Sequence, residues 1–475
     1  MTGSAGITGL PEVSVVVLNF NGRDYLPACL HALAGTDYPE EKMDVTVVDN
    51  ASSDGSAELM EREFPDVRLL RSGGNAGFAV GNNHGIRAAG GEYVALINPD
   101  TEVEPGWLRP LVETMEAGAD IAAACPKLLM FDDRLAIWLD SETFVPRDLG
   151  LSDDERTLGL RVYAVRARTV DGEDLTVDFR GGFGGIEIDE DGREFRWTMG
   201  NSELGIVGGE GDLQLSVEVS DPRPDGVGVH FLIGSGDEKL KEGLASGSPK
   251  WSEMTLPALA WEGARAVVQN AGSELLPDGS SRDRGTLVSG GSPYADWDGG
   301  RYDRPVDVFS LCGAGVLLRR EPLLELGGFD ERMFMYYEDT DLAYRLRRRS
   351  WRVRYEPRSV IRHHHAALAG EWSPFFLEQV TRNRLYVLLK HRSWGVAGRA
   401  LLGLLRDTGR AGLVALRQLV RAPRHSGPAV RQFWPRVKAL AWLARMTPAV
   451  LAARRRENRA APLREADLAE WVVKQ

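Results

Sequence analysis

Five clusters of polar residues interrupt the apolar runs of this chain, and each has a chemistry that its residue types allow. Asn19-Phe20-Asn21-Gly22 directly follows the apolar run Val13–Leu18. Asp49-Asn50-Ala51-Ser52-Ser53-Asp54-Gly55-Ser56 follows Val45–Val48. Ser53 or Asp54 suits the cap of a following helix. Capping leaves Asp49 unexplained, and a carboxylate at the end of a buried run is placed to meet a nucleotide's base or ribose. Asn75-Ala76-Gly77-Phe78-Ala79-Val80-Gly81-Asn82-Asn83 joins small residues, which admit close backbone approach, to amide donors and acceptors. It lacks the G-x-G-x-x-G spacing of dinucleotide sites, which argues against an NAD enzyme. Asn98-Pro99-Asp100-Thr101 follows Tyr93–Ile97. A carboxylate there suits a hard cation, Mg²⁺ or Mn²⁺, that bridges diphosphate oxygens, with a plain turn as the other reading.

The fifth cluster comes late: Gly327-Gly328-Phe329-Asp330-Glu331, then Tyr336-Tyr337-Glu338-Asp339-Thr340-Asp341. Three carboxylates in four residues satisfy a helix dipole at its N-terminus. The same crowding raises a carboxyl pKa and suits a general base. His363-His364-His365 follows the strand-like Arg352–Tyr355. The trio reads either as a metal or phosphate contact or as a solvated polar turn.

The elements that must position these residues change character along the chain. The first third alternates the apolar runs, and a weaker one at Val67–Leu70, with helix-like segments at Tyr25–Ala34, Ser56–Phe64 and Phe78–Ala89. Continuous apolar runs are buried on both faces, as in parallel sheets, so an open α/β sheet is expected. Ligands of such sheets bind at the carboxyl ends of strands, where four of the clusters fall. After about Asp132 the texture becomes period two, as in Leu175–Phe179, Leu213–Val219 and Val227–Ile233, punctuated by glycine pairs. This predicts an all-β, sandwich-like insert. Its Trp197, Trp251 and Trp261 suit core packing or stacking on sugar rings. The α/β texture returns at Val306–Leu318, with a helix from near Asp339. Beyond Trp394 the chain reads as basic helices broken at Pro423, Pro428 and Pro448.

At 475 residues the chain should hold two or three domains. Its net charge of -12 hides a basic tail. Cys29, Cys125 and Cys312 are far apart in apolar runs and read as buried thiols, which fits a reducing compartment. No Lys/Arg precedes a hydrophobic run in Met1–Leu10, and no stretch of about 18 apolar residues occurs, so neither signal peptide nor spanning helix is expected. The expected location is cytoplasmic, with peripheral attachment at the inner face of the membrane as an option.

The clusters, taken in order, resemble the family-2 glycosyltransferases of the GT-A fold, and bacterial rhamnosyltransferase-like members in particular. The quoted runs at 16–22, 47–56, 75–79, 98–101, 327–331 and 338–342 carry the resemblance, with support from Asn270-Ala271-Gly272 and Asp283-Arg284-Gly285. The resemblance implies a Rossmann-like, mostly parallel sheet split by the β insert and followed by a helical C-terminal region. The implied parts are a nucleotide-sugar-binding part at 12–132, the insert at 133–266, an acceptor-side part at 267–392 and a basic helical tail at 393–475. It implies a metal-dependent, inverting transferase that moves a sugar from a nucleotide diphosphate donor to a hydroxyl of a glycan or lipid-linked acceptor in cell-envelope polysaccharide synthesis. Asp339 matches the catalytic base, with Glu338 beside it. Asp100 matches the metal-binding last position of the D-x-D motif, where Asn98 replaces the first Asp, and His363 completes the metal or diphosphate site. Asn19, Asn21, Asp49, Asn75, Gly77, Asn82 and Asn98 are expected to bind donor. L-rhamnose from dTDP-rhamnose is the first donor implied, and galactofuranose or another UDP-sugar the alternative.

Two other classes compete. A catalytically weak carbohydrate-binding protein would not need Asp100, Glu338 and Asp339. A nucleotidyltransferase would carry a Gly-rich, basic triphosphate loop near its N-terminus, unlike Asn19–Gly22. In the tail, leucines recur at helical spacing (Leu401, Leu402, Leu404, Leu405, Leu413, Leu416, Leu419, Val420) among Arg399, Arg406, Arg410, Arg417, Arg421 and Arg424. Either these helices cover the core, or they form an amphipathic segment that contacts an anionic membrane. Nothing else in the sequence supports a nucleic-acid partner.

Overall fold

The computed structural model describes residues 9–221, 223, 228–364, 373–421 and 427–473, the side chains of 418–421 and 427–432 excepted. His365, Pro423 and Arg424, and the side chains of Leu419, Val420, Arg421 and Pro428, lie outside the described residues. The chain divides into two compact units. One comprises 1–128, 270–284 and 300–475, the other 129–269 and 285–299.

In the first unit, β1 (Val13–Asn19), β2 (Met43–Asp49), β3 (Arg68–Arg71) and β4 (Tyr93–Ile97) form a parallel sheet in the order β4-β1-β2-β3. Every residue of β1 is buried, which is why its apolar run is continuous rather than alternating. The register sets Asn19 opposite Asp49 and Val17 opposite Ile97, so three of the polar clusters emerge at one end of the sheet. Helices α1 (Leu26–Ala34), α2 (Ser56–Glu63) and α3 (Gly77–Ala88) link these strands. Helix α3 lies close on β1 because Gly81 and Gly85 face it. A Cβ at these positions would fall 2.4 Å from Leu18 and 2.2 Å from Val16.

After β4 come β5 (Thr101–Val103), α4 (Leu108–Glu116) and β6 (Ile121–Met130). The strand Gly315–Arg319 returns antiparallel between β4 and β6. Helix α5 (Arg320–Glu325) and then α6 (Glu338–Arg347) follow it, and the long strand Arg352–His363 pairs antiparallel with β5. Three helices complete the unit: α7 (Pro374–His391), α8 (Trp394–Arg421) and α9 (Gly427–Ala460). The expected break at Pro448 does not occur, because α9 runs through both Pro435 and Pro448. Proline removes one ladder bond, and the burial of Ala439, Leu443, Val450 and Ala453 along α9 offsets that loss. Among the described residues no helix is long and apolar enough to cross a membrane.

The second unit is all β. One antiparallel ladder contains Arg134–Ser141, Ser202–Val207, Val229–Ser235 and Glu238–Ala245. The other contains Arg161–Thr169, Phe183–Ile188, Glu194–Thr198, Leu213–Ser220 and Lys250–Leu256. The strand Asp174–Phe179 pairs with both ladders. Leu135, Ile137, Leu204, Ile206, Phe231 and Ile233 of the first share one core with Val162, Leu213, Leu215, Val217 and Leu256 of the second, giving a sandwich-like unit. The hairpin Thr286–Ser289/Ser292–Trp297 belongs here although it falls in the stretch 267–392, since Trp297 and Asp296 pair with Val267 and Val268. Trp197 is buried against Phe195 and Phe144, and Trp261 packs beside the core. Trp251 is exposed, with Arg166 stacked on its ring.

Candidate active site

At the carboxyl end of β1, the Asn19 amide donates to Asp49 Oδ1 at 3.2 Å and to Ser52 Oγ at 3.1 Å. Its own Oδ1 is buried without a hydrogen-bond partner. Asp49 Oδ2 accepts the Ser52 N–H at 3.2 Å, and Asn21 Oδ1 accepts the Ser53 N–H at 2.8 Å. Asn50, which the sequence did not single out, continues the network. Its amide donates to Asn75 Oδ1 at 3.0 Å and to the Gly77 carbonyl at 3.2 Å, and its Oδ1 accepts the Ala76 N–H at 3.1 Å. Asn19, Asn21, Asp49, Asn75 and Gly77 are thereby joined in one polar wall. Gly77 has φ +83°, and a Cβ there would fall 2.3 Å from the Phe334 carbonyl, so only glycine fits.

Asn82 and Asn83, neighbours in sequence, do different work. The Asn82 amide bonds the Phe78 carbonyl one turn back in α3. Asn83 reaches across the fold, accepting the Phe329 N–H at 2.8 Å and donating to the Phe329 carbonyl at 2.9 Å. That pair of bonds holds the Gly327–Glu331 loop on α3. The Phe78 N–H donates to the Phe334 carbonyl at 2.6 Å, which ties the following segment to the Asn75–Gly77 turn.

Asp100 is buried and lies beside His363, with Nε2 3.2 Å from Oδ1. The register that pairs His363 with Thr101 creates this contact. Burial alone would raise the Asp100 carboxyl. The hydrogen bond and charge of His363 outweigh it and hold the group below its usual range. Beyond this contact with His363, Asp100 Oδ1 accepts no hydrogen bond among the described residues, so it keeps a lone pair for a cation. Asn98 is half-buried. Its N–H donates to the Ala314 carbonyl, and its carbonyl accepts the Thr101 hydroxyl.

Glu338 and Asp339 open α6, and the turn before them is left-handed at Tyr336 (φ 69°) and Tyr337 (φ 70°). Together with Asn21 and Ala51, these are four non-glycine residues in a costly conformation, all in the loops of this site. Asn383 of α7 holds the turn by donating to the Met335 and Tyr336 carbonyls at 2.8 and 2.9 Å. Burial and the nearby Asp283 charge push the Asp339 carboxyl up to about 6, against the pull of the Thr340 and Gly313 N–H groups. Burial, then the charges of Asp339 and Asp341, push Glu338 well above the carboxylate range. Glu338 Oε2 is also buried without a partner. Gly313 neighbours Ala314, which holds Asn98, so the acid pair and the Asp100 loop flank one short segment.

The third carboxylate of the cluster, Asp341, serves the scaffold. Its oxygens take Arg345 at 2.7 Å, Lys390 at 2.7 Å and His391 at 2.8 Å. Lys390 also reaches Asp330 at 2.7 Å, and Asp330 accepts the Tyr386 hydroxyl and Arg332. The lysine thus locks the Gly327–Glu331 loop, α6 and α7 together. The charges of Lys390 and Arg345 hold Asp341 far below its usual range despite burial, and burial lowers His391 to about 4. Asn383, Lys390 and His391 lie outside every motif, and no sequence signal marks them.

The three cysteines carry free thiols. Among the described residues no group of three His, Cys, Asp or Glu side chains could hold a metal ion.

Residues 14–162 match the family described as "Glycosyl transferase family 2", and residues 294–384 match "Glycosyltransferase like family 2". The chain is 30% identical over 116 residues to glycosyltransferase AglE of Haloferax volcanii, covering 24% of this chain and 38% of that protein. It is 37% identical over 94 residues to an N-acetylglucosaminyl-diphospho-decaprenol L-rhamnosyltransferase of Mycobacterium tuberculosis, covering 19% and 30%. It is 31% identical over 108 residues to the putative teichuronic acid biosynthesis glycosyltransferase TuaG of Bacillus subtilis, covering 22% and 42%. These matches span only about a third of the length of the curated relatives. A crystal structure of GalNAc-T7 with UDP, GalNAc and Mn²⁺ aligns at 14% identity and TM-score 0.43, over 81% of this chain and 48% of that one.

Proposed function

Since the chain belongs to the family-2 glycosyltransferases, we propose that it transfers one sugar from a nucleotide diphosphate donor to an acceptor hydroxyl, with inversion, in cell-envelope glycan synthesis. One observation carries this reading. Two adjacent carboxyls, Glu338 and Asp339, open α6 beside the segment that holds the Asp100 loop, and burial raises both, Asp339 to about 6. A carboxyl raised toward neutrality at a loop end suits a general base. Asp339 acts as general base, and Glu338 beside it lies near the acceptor.

The steps balance as a single displacement. Asp339 removes the proton of the acceptor hydroxyl as that oxygen bonds the anomeric carbon. The bond from that carbon to the diphosphate oxygen breaks on the opposite face, and the electron pair leaves with the nucleoside diphosphate. The transition state has oxocarbenium character, as in glycoside hydrolysis. Asp49 receives the base or ribose, and Asn19, Asn21, Asn75, Gly77, Asn82 and Asn98 line the donor site. The buried Asp100 carboxylate and the adjacent His363 would hold Mg²⁺ or Mn²⁺, a cation that one or two carboxylates suffice to bind when substrate phosphates are present. When bound, such an ion neutralises charge on the leaving diphosphate.

For the donor, dTDP-L-rhamnose comes first, supported by the likeness to the mycobacterial rhamnosyltransferase. Galactofuranose or another UDP-sugar comes second. The acceptor is a glycan or lipid-linked glycan met at the cytoplasmic face of the membrane. A thermal-shift panel of nucleotide sugars with Mg²⁺ or Mn²⁺ tests the donor: a bound ligand at 100 times its Kd stabilises by about 2.7 kcal/mol. If no nucleotide sugar shifts the transition and none is hydrolysed, the transferase reading is wrong.

A further inference from the structure

Several large apolar side chains of helix α8 lie in solvent. Leu402, Leu405, Leu413 and Leu416 are 66%, 48%, 58% and 60% exposed. At 3.6 residues per turn they fall within a sector of about 80° on one side of the helix. Arg399, Arg406, Arg410 and Arg417, all exposed, fall within about 40° on the flank of that stripe. The inward side is different: Ala397, Thr408 and Ala415 are buried there, and Gly412 leaves room for Phe433 of α9. Packing therefore accounts for one side of α8 and for the buried residues of α9, but not for Leu402, Leu405, Leu413 and Leu416. The only acid on α8 is Asp407.

We propose that α8 lies on an anionic lipid surface, its leucine stripe in the acyl boundary and its arginine row on the headgroups. An apolar stripe flanked by cations is the layout that inserts part-way into an interface without spanning it. Charge selects this occupant over a second copy of the chain. A second α8 would bring the same arginine row and a single acid to meet it. Nucleic acid would match the arginines but leave the leucines in water. The inference goes beyond the transferase reading and stands on different residues, so either can fail alone.

The test is flotation of the full chain with phosphatidylcholine vesicles and with vesicles that contain phosphatidylglycerol, at low and high salt. Two variants accompany it: R399Q/R406Q/R410Q/R417Q, and L402Q/L405Q/L413Q/L416Q. Circular dichroism melting and donor hydrolysis establish that both are folded. The wild type should float with anionic vesicles only, and high salt should release it. Each arginine near such a surface is worth about five-fold in partitioning, so the arginine variant should lose at least 100-fold. The leucine variant should lose binding at low salt although its arginine row is intact. Failure of the wild type to float with anionic vesicles overturns the proposal, as does undiminished binding by both variants. So does a doubled mass in light scattering that the leucine variant alone abolishes, since that assigns the stripe to a second copy.

Discussion

The His363 imidazole sits 3.2 Å from the Asp100 carboxylate, and it is placed there by the antiparallel pairing of Arg352–His363 with β5. The two residues come from segments of the first unit that precede and follow the β-rich stretch in sequence. If they hold a divalent ion, EDTA should abolish donor hydrolysis and Mn²⁺ or Mg²⁺ should restore it. Asp100→Ala should remove the metal-dependent part of donor binding, and His363→Ala should weaken it by about 10–100-fold, measured by calorimetry. Full activity of the wild type in EDTA would exclude the metal role for both residues.

Asp339→Asn should lower kcat by about 10²–10⁴-fold with donor Kd nearly unchanged, read from single-turnover kinetics and donor titration. Near wild-type turnover in that variant removes Asp339 from the role.

The raised pKa of Asp339, about 6, also sets two pH dependences. If Asp339 is the base it must be ionised, so kcat/KM should fall about ten-fold per pH unit below 6. The stability effect has the opposite sense. A carboxyl whose folded pKa lies above its unfolded value destabilises the fold progressively as pH rises from about 4 to 6. Asp339→Asn should therefore melt higher than wild type at pH 7, by about 2–4 °C, and at the same temperature at pH 4. An unchanged difference across that range would show that Asp339 titrates normally.

Lys390 joins Asp330 to Asp341 with all three side chains buried. Removing one partner of a buried pair leaves uncompensated charge, at a cost of about 3–5 kcal/mol. Lys390→Met should lose that much in urea unfolding, although Lys390 touches neither Glu338 nor Asp339 directly. A loss below about 1 kcal/mol would mean that Arg345, Arg332 and His391 already compensate both acids.

Asn83→Ala should cost about 2–4 kcal/mol, because it leaves both backbone groups of Phe329 without their buried partner. Asn82→Ala removes only a bond to its own helix and should cost under about 1 kcal/mol, so a raised donor KM there reads out donor contact rather than folding. Equal losses in the two variants would contradict the division of labour between these neighbours.

Much of this site was legible in the sequence because the relevant signals are local. The continuous burial of Val13–Leu18 and Tyr93–Ile97 announces parallel strands, and polar residues directly beyond such strands must lie at one sheet end. Asn19, Asp49 and Asp100 could be named on that ground, and Glu338-Asp339 from acids crowded at a helix start. The period-two texture likewise marked the β-rich unit. Tertiary structure decided what depends on contacts between distant segments. Asn83 rather than Asn82 spans to Phe329, because a helix aims consecutive residues about 100° apart and only one of them meets the loop. The hairpin 286–297 joins the β-rich unit through backbone pairing with Val267 and Val268, which no side-chain pattern encodes. Of three similar acids, Asp341 became structural because Lys390, Arg345 and His391 surround it, while Asp339 found few cations and kept a high pKa. The sequence by itself determined which elements form and which residues stand at their ends. The electrostatic environment of each acid was decided by neighbours from elsewhere in the chain, because desolvation and Coulomb energy depend on distance in space.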